Sequence, residues 1–221
     1  AAGVPCPDGE LVTSPEQVRR FAEQHGFPLV FKPDLGVGAA RTFKVFGPGG
    51  LEDVLRTPLH GYIVQPFVRG DIVSYDGLVD ADGRVVFETG HVYSAGVMEV
   101  VNDQLDVSYW NRRDLPGELV QVGRRVVDGF GLRERFFHIE FFELEDKSYR
   151  ALEINLRPPG GYTTDMMNYS ADIDVYRLWA RVLTKDPSLK DFRYERRYHV
   201  AHVARRHGRA YRQDRKSTRL N

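Results

Sequence analysis

The chain has 221 residues, of which 42% are apolar and 28% are charged, and this size allows one sizeable hydrophobic core or two small lobes. Lysine plus arginine equals aspartate plus glutamate, at 31 each, so the overall charge does not indicate nucleic acid or a membrane surface as a partner. A single cysteine, Cys6, excludes an internal disulfide and fits a reducing, cytoplasmic location, and no apolar run approaches the roughly 20 residues of a membrane-spanning helix.

The chain is predicted to open with a helix and a buried strand. Ser14 is a suitable N-cap, Pro15 suits the first helical position, and Gly26 ends the helix. Residues 27–31 predict a short buried strand, and residues 41–46 predict a second strand. The two strands would flank a Gly-rich turn.

A lysine precedes that turn. Lys32 ends the first strand, and Gly36 and Gly38 lie in the turn. This arrangement can present an ammonium group and several backbone N–H groups to phosphates. It is not a P-loop, because the GK[ST] ending is absent and a strand follows where that motif needs a helix. The alternative is a solvent-facing lysine before a hairpin turn.

Residues 61–68 predict a further buried strand. Pro66 within it indicates a sheet edge or a strand end. Either position would leave backbone groups beside Phe67 unpaired, and such groups could bind the edge of an adenine ring. The alternative is an ordinary strand end with no ligand.

A second sheet is predicted to start downstream. Residues 71–79 and 84–91 have the pattern of a hairpin. Residues 92–116 have only a weak pattern, and we interpret them as a long loop. Residues 117–131 predict an amphipathic helix with a single apolar stripe. The stripe consists of Leu119, Val122, Val126 and Phe130.

The most informative stretch is residues 136–161, FFHIEFFELEDKSYRALEINLRPPGG. It predicts two strands joined by a turn centred on residues 146–147, which places Glu140 opposite Glu153. Opposed side chains point to the same face of a hairpin, with Cβ atoms about 5 Å apart. The same register places Asn155 opposite His138. Because strand side chains alternate between faces, Glu153, Asn155 and Arg157 are expected to share one face.

The predicted proximity of Glu140 and Glu153 requires compensation. At an effective dielectric constant of about 20, two unit charges about 5 Å apart repel by about 3 kcal/mol. Either one carboxylate keeps a proton or a cation lies between them. Asn155 adds a neutral oxygen, and an all-oxygen site of this kind suits Mg²⁺ held jointly with substrate phosphates. The alternative is a sheet edge that carries charge.

The C-terminal part predicts a helix over residues 172–183, a connector over residues 189–196 and a strand over residues 198–204. Residues 205–221 are strongly basic and poor in apolar side chains, and we interpret them as a truncated or non-native tail. Three histidines in this part lack the spacing of a zinc motif and the support of cysteines. They are His199, His202 and His207.

Four segments, taken in order, resemble the ATP-grasp superfamily. They are PLVFKPDLGVGAAR, YIVQPFVRGD, FFHIEFFE and ALEINLRPPGG. The resemblance covers the chain to about residue 204. Within the superfamily, the sequence is similar to the ATP-grasp domains of biotin carboxylase and D-alanine–D-alanine ligase. It implies an α+β (α/β) fold of two α+β lobes, with a mostly antiparallel sheet in the C-terminal lobe. The implied lobes are residues 1–69, with the phosphate loop, and residues 70–204, with the metal and phosphate site.

The resemblance also implies roles for single residues. Arg157 matches the catalytic arginine that steadies the transferred phosphate or acyl-phosphate. The metal ligands match Glu140, Glu153 and Asn155. The ATP-binding positions match Lys32 at the phosphates, Gly36 and Gly38 in the closing loop, Gln65, Phe67 and Val68 at the adenine hinge, and Asp71. The implied cofactors are ATP and Mg²⁺, with Mn²⁺ as an alternative metal.

The sequence departs from the family pattern in three places. Leu156 replaces the usual proline of the ExNPR pattern. The acid that commonly holds the ribose falls at Ile72, and Asp71 lies one residue earlier. A further phosphate-binding lysine and the N-terminal domain of relatives would lie upstream of Ala1, so we expect the chain to be a fragment.

The implied activity is an ATP- and Mg²⁺-dependent ligation, in which a carboxylate is activated as an acyl-phosphate and captured by an amine, or less commonly by a thiol. Two other hypotheses stay open at this point: an ATP-grasp kinase, and a non-catalytic nucleotide-binding module. The expected partners are a small-molecule carboxylate and an amine, with neither nucleic acid nor membrane. Homo-oligomerisation is left open.

Overall fold

The computed structural model describes residues 2–35, 41–96 and 105–205. Within these ranges the strands form two separate sheets, in which neighbouring strands run antiparallel. The α+β fold class with an antiparallel C-terminal sheet is therefore confirmed. None of the helices in these ranges is long and apolar enough to cross a membrane.

The smaller sheet and its two helices come from the first third of the chain. The strands are β1 (Glu10–Leu11), β2 (Leu29–Pro33), β3 (Phe43–Val45) and β4 (Tyr62–Pro66), in the order β1-β4-β2-β3. The helices are α1 (Pro15–His25) and α2 (Pro48–Leu55). Helix α1 begins as predicted, because the Ser14 side chain accepts a hydrogen bond from the Gln17 N–H at 3.1 Å. The helices cover one face of the sheet, where Leu29, Phe31 and Val64 are buried.

The larger sheet comes from the rest of the chain, and its strands run in the order β10-β9-β5-β7-β8-β11 with β6 paired to β5. The strands are β5 (Asp71–Val79), β6 (Val85–Thr89), β7 (His91–Tyr93), β8 (Val107–Asn111), β9 (Arg135–Glu143), β10 (Tyr149–Asn155) and β11 (Ala201–Ala204). The helices are α3 (Gly117–Gly129), α4 (Thr163–Ala171), α5 (Val175–Leu183) and a 3₁₀ helix (Pro187–Asp191).

Strand β9 shows how the larger sheet divides its two faces. Phe137, Ile139 and Phe141 point to one face, where they pack with the apolar side of α3. Phe136 points to the other face and packs with α4 and α5. The alternation of a strand places His138 and Glu140 on the same face as Phe136. That face is therefore apolar at one end and polar at the other.

Four sequence predictions need correction in the larger sheet. The predicted strand 84–91 is interrupted at Gly90 and forms both β6 and β7. Helix α3 ends at Gly129, and Phe130, which was assigned to its core stripe, is 58% exposed. The predicted helix 172–183 starts only at Val175, with Asp174 as its N-cap. The last strand is shorter than predicted, and only Arg205 of the basic tail lies within the described residues.

The interpretation of residues 92–116 as a loop was also wrong, because they contain β8. The expected apolar alternation is inverted there: Asn111 is buried, whereas Trp110 is partly exposed. The Asn111 side chain donates to the Tyr198 carbonyl at 3.0 Å and accepts from the Val200 N–H at 2.6 Å. A buried amide that satisfies the backbone of a distant segment leaves no periodic signal in the local sequence.

Helix α4 was not predicted, because polar residues also occupy part of its buried side. Its buried side includes Thr163, Thr164 and Ser170, whereas Tyr169 is exposed. These small polar residues are buried beside Met166 and Met167, and together with the exposed aromatic they weaken the amphipathic pattern on which helix prediction depends. Helices α4 and α5 are separated by a turn at Asp172, whose φ is 52°.

We expect Gly77→Ala to destabilise the fold by at least about 2 kcal/mol, because it overpacks the centre of β5. A Cβ atom there would overlap the Phe87 carbonyl oxygen and lie 2.7 Å from the Phe137 ring. Urea unfolding followed by circular dichroism measures the effect. Gly117→Ala is the matched control, since no atom lies within 4 Å of its Cβ position and alanine favours a helix. Equal unfolding free energies for the two variants would contradict this packing.

Candidate functional site

A cavity of about 690 Å³ lies between the two sheets. The smaller sheet lines it with the face that its helices leave uncovered, because Val30 lies opposite Gln65 and Lys32 lies opposite Ile63 on adjacent strands. The larger sheet lines it with the polar end of its second face. The cavity therefore has polar side chains from both sheets in its lining, with Lys32 and Gln65 on one side and Glu140 and Glu153 on the other.

The cavity brings together the predicted site residues that lie within the described ranges. They are Lys32, Gln65, Phe67, Val68, Asp71, Glu140, Glu153, Asn155 and Arg157. Gly36 and Gly38 lie outside the described residues. The members of this set are up to 125 positions apart in the sequence, from Lys32 to Arg157, and two separate sheets supply them.

The β9–β10 hairpin has the predicted pairing at the site, with Glu140 opposite Glu153 and His138 opposite Asn155. The predicted turn was wrong, however. The loop closes through a hydrogen bond from the Leu144 N–H to the Ser148 carbonyl and one from the Lys147 N–H to the Leu144 carbonyl, not at a two-residue turn. This offsets the register near the loop by one residue.

An irregularity between Ala151 and Glu153 restores the register. Leu152 is the extra residue, and this β-bulge changes the phase of the strand beyond it. As a result, Ala151 and Ile154 both pack against the core around α3, although three positions separate them. Without the bulge, alternation would direct Glu153 into that core. The bulge therefore directs Glu153 and Asn155 into the cavity.

Arg157 lies just beyond β10, so it does not continue the strand as predicted. Its guanidinium donates to the Pro158 carbonyl at 2.9 Å and to the Asn155 side-chain oxygen at 3.3 Å. These bonds hold an exposed cation beside the amide of the hairpin. Arg157 is thus at the mouth of the cavity, where an anionic group could reach it.

The adenine-hinge prediction needs one correction. The Phe67 N–H is not unpaired, because it donates to the Pro28 carbonyl at 2.9 Å. Pro66 is the end of an interior strand rather than an edge. The neighbouring Val68 N–H has no protein partner in the part of the chain that the structure describes, and Lys44 Nζ lies 4.0 Å above the Phe67 ring. Asp71 is exposed at the start of β5.

Each of the two carboxylates has a cationic side chain nearby. Burial lowers the pKa of Lys32, and the charge of Glu153 acts in the opposite direction. Burial alone would lower the pKa of His138 too, but Asp76 and Glu140 outweigh it and raise this pKa to about 10. From the sequence, a proton or a bound cation was expected to compensate the repulsion between Glu140 and Glu153. In the structure, the side chains of Lys32 and His138 also lie near these carboxylates.

His138 and Asp76 are the site residues that sequence reasoning missed. Asp76 is fully buried and forms hydrogen bonds with His138, His91 and Ser74. Burial tends to raise the pKa of Asp76, but the two histidines hold it well below its usual range. One signal was available: His138 is two residues before Glu140 on the same strand face, and the register made it a neighbour of Asn155.

The donor set fits Mg²⁺ better than a transition metal. Glu140, Glu153 and Asn155 offer oxygen atoms, which a hard divalent cation prefers. In the described ranges, no group of three or more His, Cys, Asp or Glu side chains is placed so that it could hold a metal ion by itself. An open set of this kind suits a cation that keeps waters and shares its coordination with phosphates.

Solved structures with a similar fold include ATP-grasp enzymes. The ATP-grasp ligase PsnB, solved with a minimal precursor, Mg and ADP, is 24% identical, covers 83% of this chain and 54% of its own, and has a TM-score of 0.61. The ADP complex of PurK, N5-carboxyaminoimidazole ribonucleotide synthetase, is 16% identical, covers 90% of this chain and 52% of its own, and has a TM-score of 0.71. The chain has the ATP-grasp fold, which confirms the resemblance inferred from its motifs.

Among curated proteins, the chain is similar to the L-arginine-specific L-amino acid ligase of Bacillus subtilis, with 22% identity over 199 residues, 85% of this chain and 48% of the ligase. It is also similar to the carbamoyl phosphate synthase large chain of Thermus thermophilus, with 30% identity over 99 residues, 45% of this chain and 10% of the relative. The chain thus spans about half the length of the first relative. No family model matches it.

We expect Lys32→Met to weaken ATP binding about 10-fold to 100-fold, since a charge-assisted hydrogen bond contributes about 1.5–3 kcal/mol. Methionine preserves most of the side-chain volume, so the sheet should be undisturbed. Isothermal titration calorimetry with ATP and Mg²⁺ measures the change. Lys190→Met, which alters an exposed lysine of the 3₁₀ helix outside the cavity, should bind like the parent chain. Unchanged affinity in Lys32→Met would remove this lysine from the phosphate site.

Proposed function

We propose that the intact protein is an ATP- and Mg²⁺-dependent ligase that activates a carboxylate as an acyl-phosphate and transfers the acyl group to an amine. One observation supports this most directly: the cavity joins Lys32 of one sheet to the acidic hairpin and Arg157 of the other. Phosphoryl transfer needs positioning and charge neutralisation more than a protein nucleophile, and this cavity offers charged and oxygen-donor groups.

The side chains have separate roles in the proposal. Lys32 binds the nucleotide phosphates, and the segment Gln65 to Val68 binds adenine, with the Val68 N–H as a donor. Glu140, Glu153 and Asn155 hold Mg²⁺, which when bound neutralises the triphosphate. Arg157 contacts the transferred phosphoryl group and stabilises charge that develops on its oxygens. Asp71 is the candidate for the ribose contact, since it is exposed in the cavity wall at the position where the family motif is shifted.

The chemistry balances in two steps. The substrate carboxylate attacks the γ-phosphorus of ATP and releases ADP, which leaves an acyl-phosphate. The amine then attacks the acyl carbon and releases inorganic phosphate, which leaves an amide. We further propose residues 1–69 and 70–204 as the two lobes around the site, and the cytoplasm as its location. The name of the Bacillus subtilis relative makes amino acids the first carboxylates and amines to screen.

Product analysis with the intact protein tests the proposal. Amino acids and ATP are incubated with and without Mg²⁺, and ADP, phosphate and condensed product are quantified by mass spectrometry. We expect equal amounts of the three products, formed only with Mg²⁺. ADP with a stable phosphorylated substrate and no free phosphate would indicate a kinase instead. Tight ATP binding without ADP formation under any acceptor would indicate a nucleotide-binding module.

A further inference from the structure

Two rows of polar side chains cross the larger sheet beneath the cavity. One row consists of Asn155, His138 and Asp76, and the other consists of Glu153, Glu140 and Ser74, on β10, β9 and β5 respectively. The members on β9 and β10 line the cavity, whereas Asp76 and Ser74 on β5 are completely buried. The proposed metal ligand Glu140 is therefore backed by polar side chains that the proposed reaction does not use.

His138 connects the buried and the cavity-facing carboxylates. Its Nδ1 lies 2.5 Å from Asp76 Oδ1, and its Nε2 lies 3.1 Å from Glu140 Oε1. A carboxylate oxygen accepts hydrogen bonds, so the His138 ring links the buried carboxylate to the cavity-facing one through its two nitrogens.

Hydrogen bonds hold the Asp76 side chain in place, and Asp76 in turn holds the His138 ring. Its Oδ2 accepts from the Ser74 hydroxyl at 2.5 Å and lies 2.8 Å from His91 Nδ1. Ser74 in turn accepts from the His91 backbone N–H at 3.2 Å. With Asp76 bonded on both oxygens, His138 has one orientation that satisfies it. Its Nε2 is then directed at Glu140, whose other oxygen has no protein partner among the described residues.

We propose that His138 is a positioning residue: anchored by Asp76, it donates to one oxygen of Glu140 and thereby directs the other oxygen at the bound metal. This inference rests on the proposed metal role of Glu140. Asp76 is buried behind the ring and does not line the cavity, so its part in this proposal is to orient His138. Partners behind a metal ligand commonly change metal affinity about 10-fold to 100-fold when they are removed.

The competing explanation is that the buried network only stabilises the sheet. In that case its disruption lowers the stability of the fold, but the surviving folded molecules respond to Mg²⁺ as before. A test must therefore separate contact with Glu140 from charge and from stability.

Two double variants make this separation. Asp76→Asn with His138→Gln and Asp76→Asn with His138→Asn both replace the pair by two neutral amides, so the two variants have the same charge. The glutamine amide reaches about as far as the Nε2 of histidine and can still donate to Glu140. The asparagine amide reaches only as far as Nδ1 and cannot. The two variants therefore differ in the contact under test.

The measurement is calorimetric ATP binding by the chain as a function of Mg²⁺ concentration, with thermal unfolding recorded for both variants. We expect the asparagine variant to need at least about 10-fold more Mg²⁺ for half-maximal enhancement of binding, and the glutamine variant to stay within about threefold of the parent. The same Mg²⁺ dependence in both variants would overturn the inference. The proposed function fails separately, if ATP binding by the parent chain does not respond to Mg²⁺ at all.

A spectroscopic measurement on the unaltered chain covers the case in which either double variant does not fold. Nitrogen-15 NMR of the histidine rings reports whether each ring nitrogen carries a proton. We expect the Nε2 proton of His138 to be protected from exchange without metal, and to stay protected when Mg²⁺ and ATP are added. Loss of that protection on metal binding would show that Glu140 leaves His138 to bind the metal, which overturns the inference.

Discussion

Replacing Glu153 with glutamine is expected to abolish the effect of Mg²⁺ on ATP binding and to lower ATP turnover by the intact protein at least about 100-fold, the loss typical when one electrostatic contact to the reacting groups is removed. The substitution keeps the shape of the side chain and its place opposite Glu140, but it removes one of the two proposed anionic metal ligands. Calorimetry on this chain with and without Mg²⁺, and ADP release by the intact protein, measure the two effects.

The same hairpin provides the control for Glu153. Glu145 lies in the exposed loop between β9 and β10, so Glu145→Gln removes the same charge from the same hairpin outside the cavity. We expect this variant to bind ATP and respond to Mg²⁺ like the parent. Persistence of the Mg²⁺ effect in Glu153→Gln would show that the metal is held elsewhere and that the acidic hairpin has been misinterpreted.

The Asp76→Ala variant is expected to lose about 3–5 kcal/mol of unfolding free energy at neutral pH, because one partner of a buried ion pair is removed while the other stays buried. Asp76 is 0% exposed and contacts three polar side chains. The substitution would leave His138 and His91 without their shared acceptor. Guanidinium unfolding followed by fluorescence measures the loss.

Asp82→Ala is the control for Asp76, since Asp82 is exposed in the turn between β5 and β6. Exposed substitutions of this kind usually change stability by less than about 0.5 kcal/mol. A loss below about 1 kcal/mol in Asp76→Ala would mean that the buried network is not tightly coupled to the fold.

The elements with the clearest local signals were predicted well. Helix α1 carries its start in Ser14 and Pro15 and its end in Gly26, and the structure follows these signals. The acids of β9 and β10 could be paired from sequence because one hairpin contains both. By contrast, β8 buries Asn111, whose partners are distant in the sequence, and α4 buries Thr163 and Ser170, which bond to carbonyls three residues away. In both elements polar side chains take buried positions, so the local apolar pattern does not report which side is buried.

The site shows the same division. Lys32, Glu140 and Glu153 could be proposed from the sequence because the motifs that contain them are short and contiguous. The buried part was not recognisable, since Asp76 and His138 are 62 positions apart and become neighbours only when β5 pairs with β9. The predicted pairing of Glu140 with Glu153 was confirmed for a reason that was not foreseen: an error in the turn was cancelled by the extra residue Leu152.

That extra residue also bears on how the chain finds its fold. If the register of the pairs next to the loop continued along the whole hairpin, without the extra residue, Glu153 would lie opposite Ile139. Its carboxylate would then point into the apolar layer around α3. Because burial of an unpaired charge costs several kcal/mol, this slipped pairing is unfavourable from the moment the helix docks. The charge of Glu153 thus has a second consequence, because it disfavours the hairpin register that is offset by one residue.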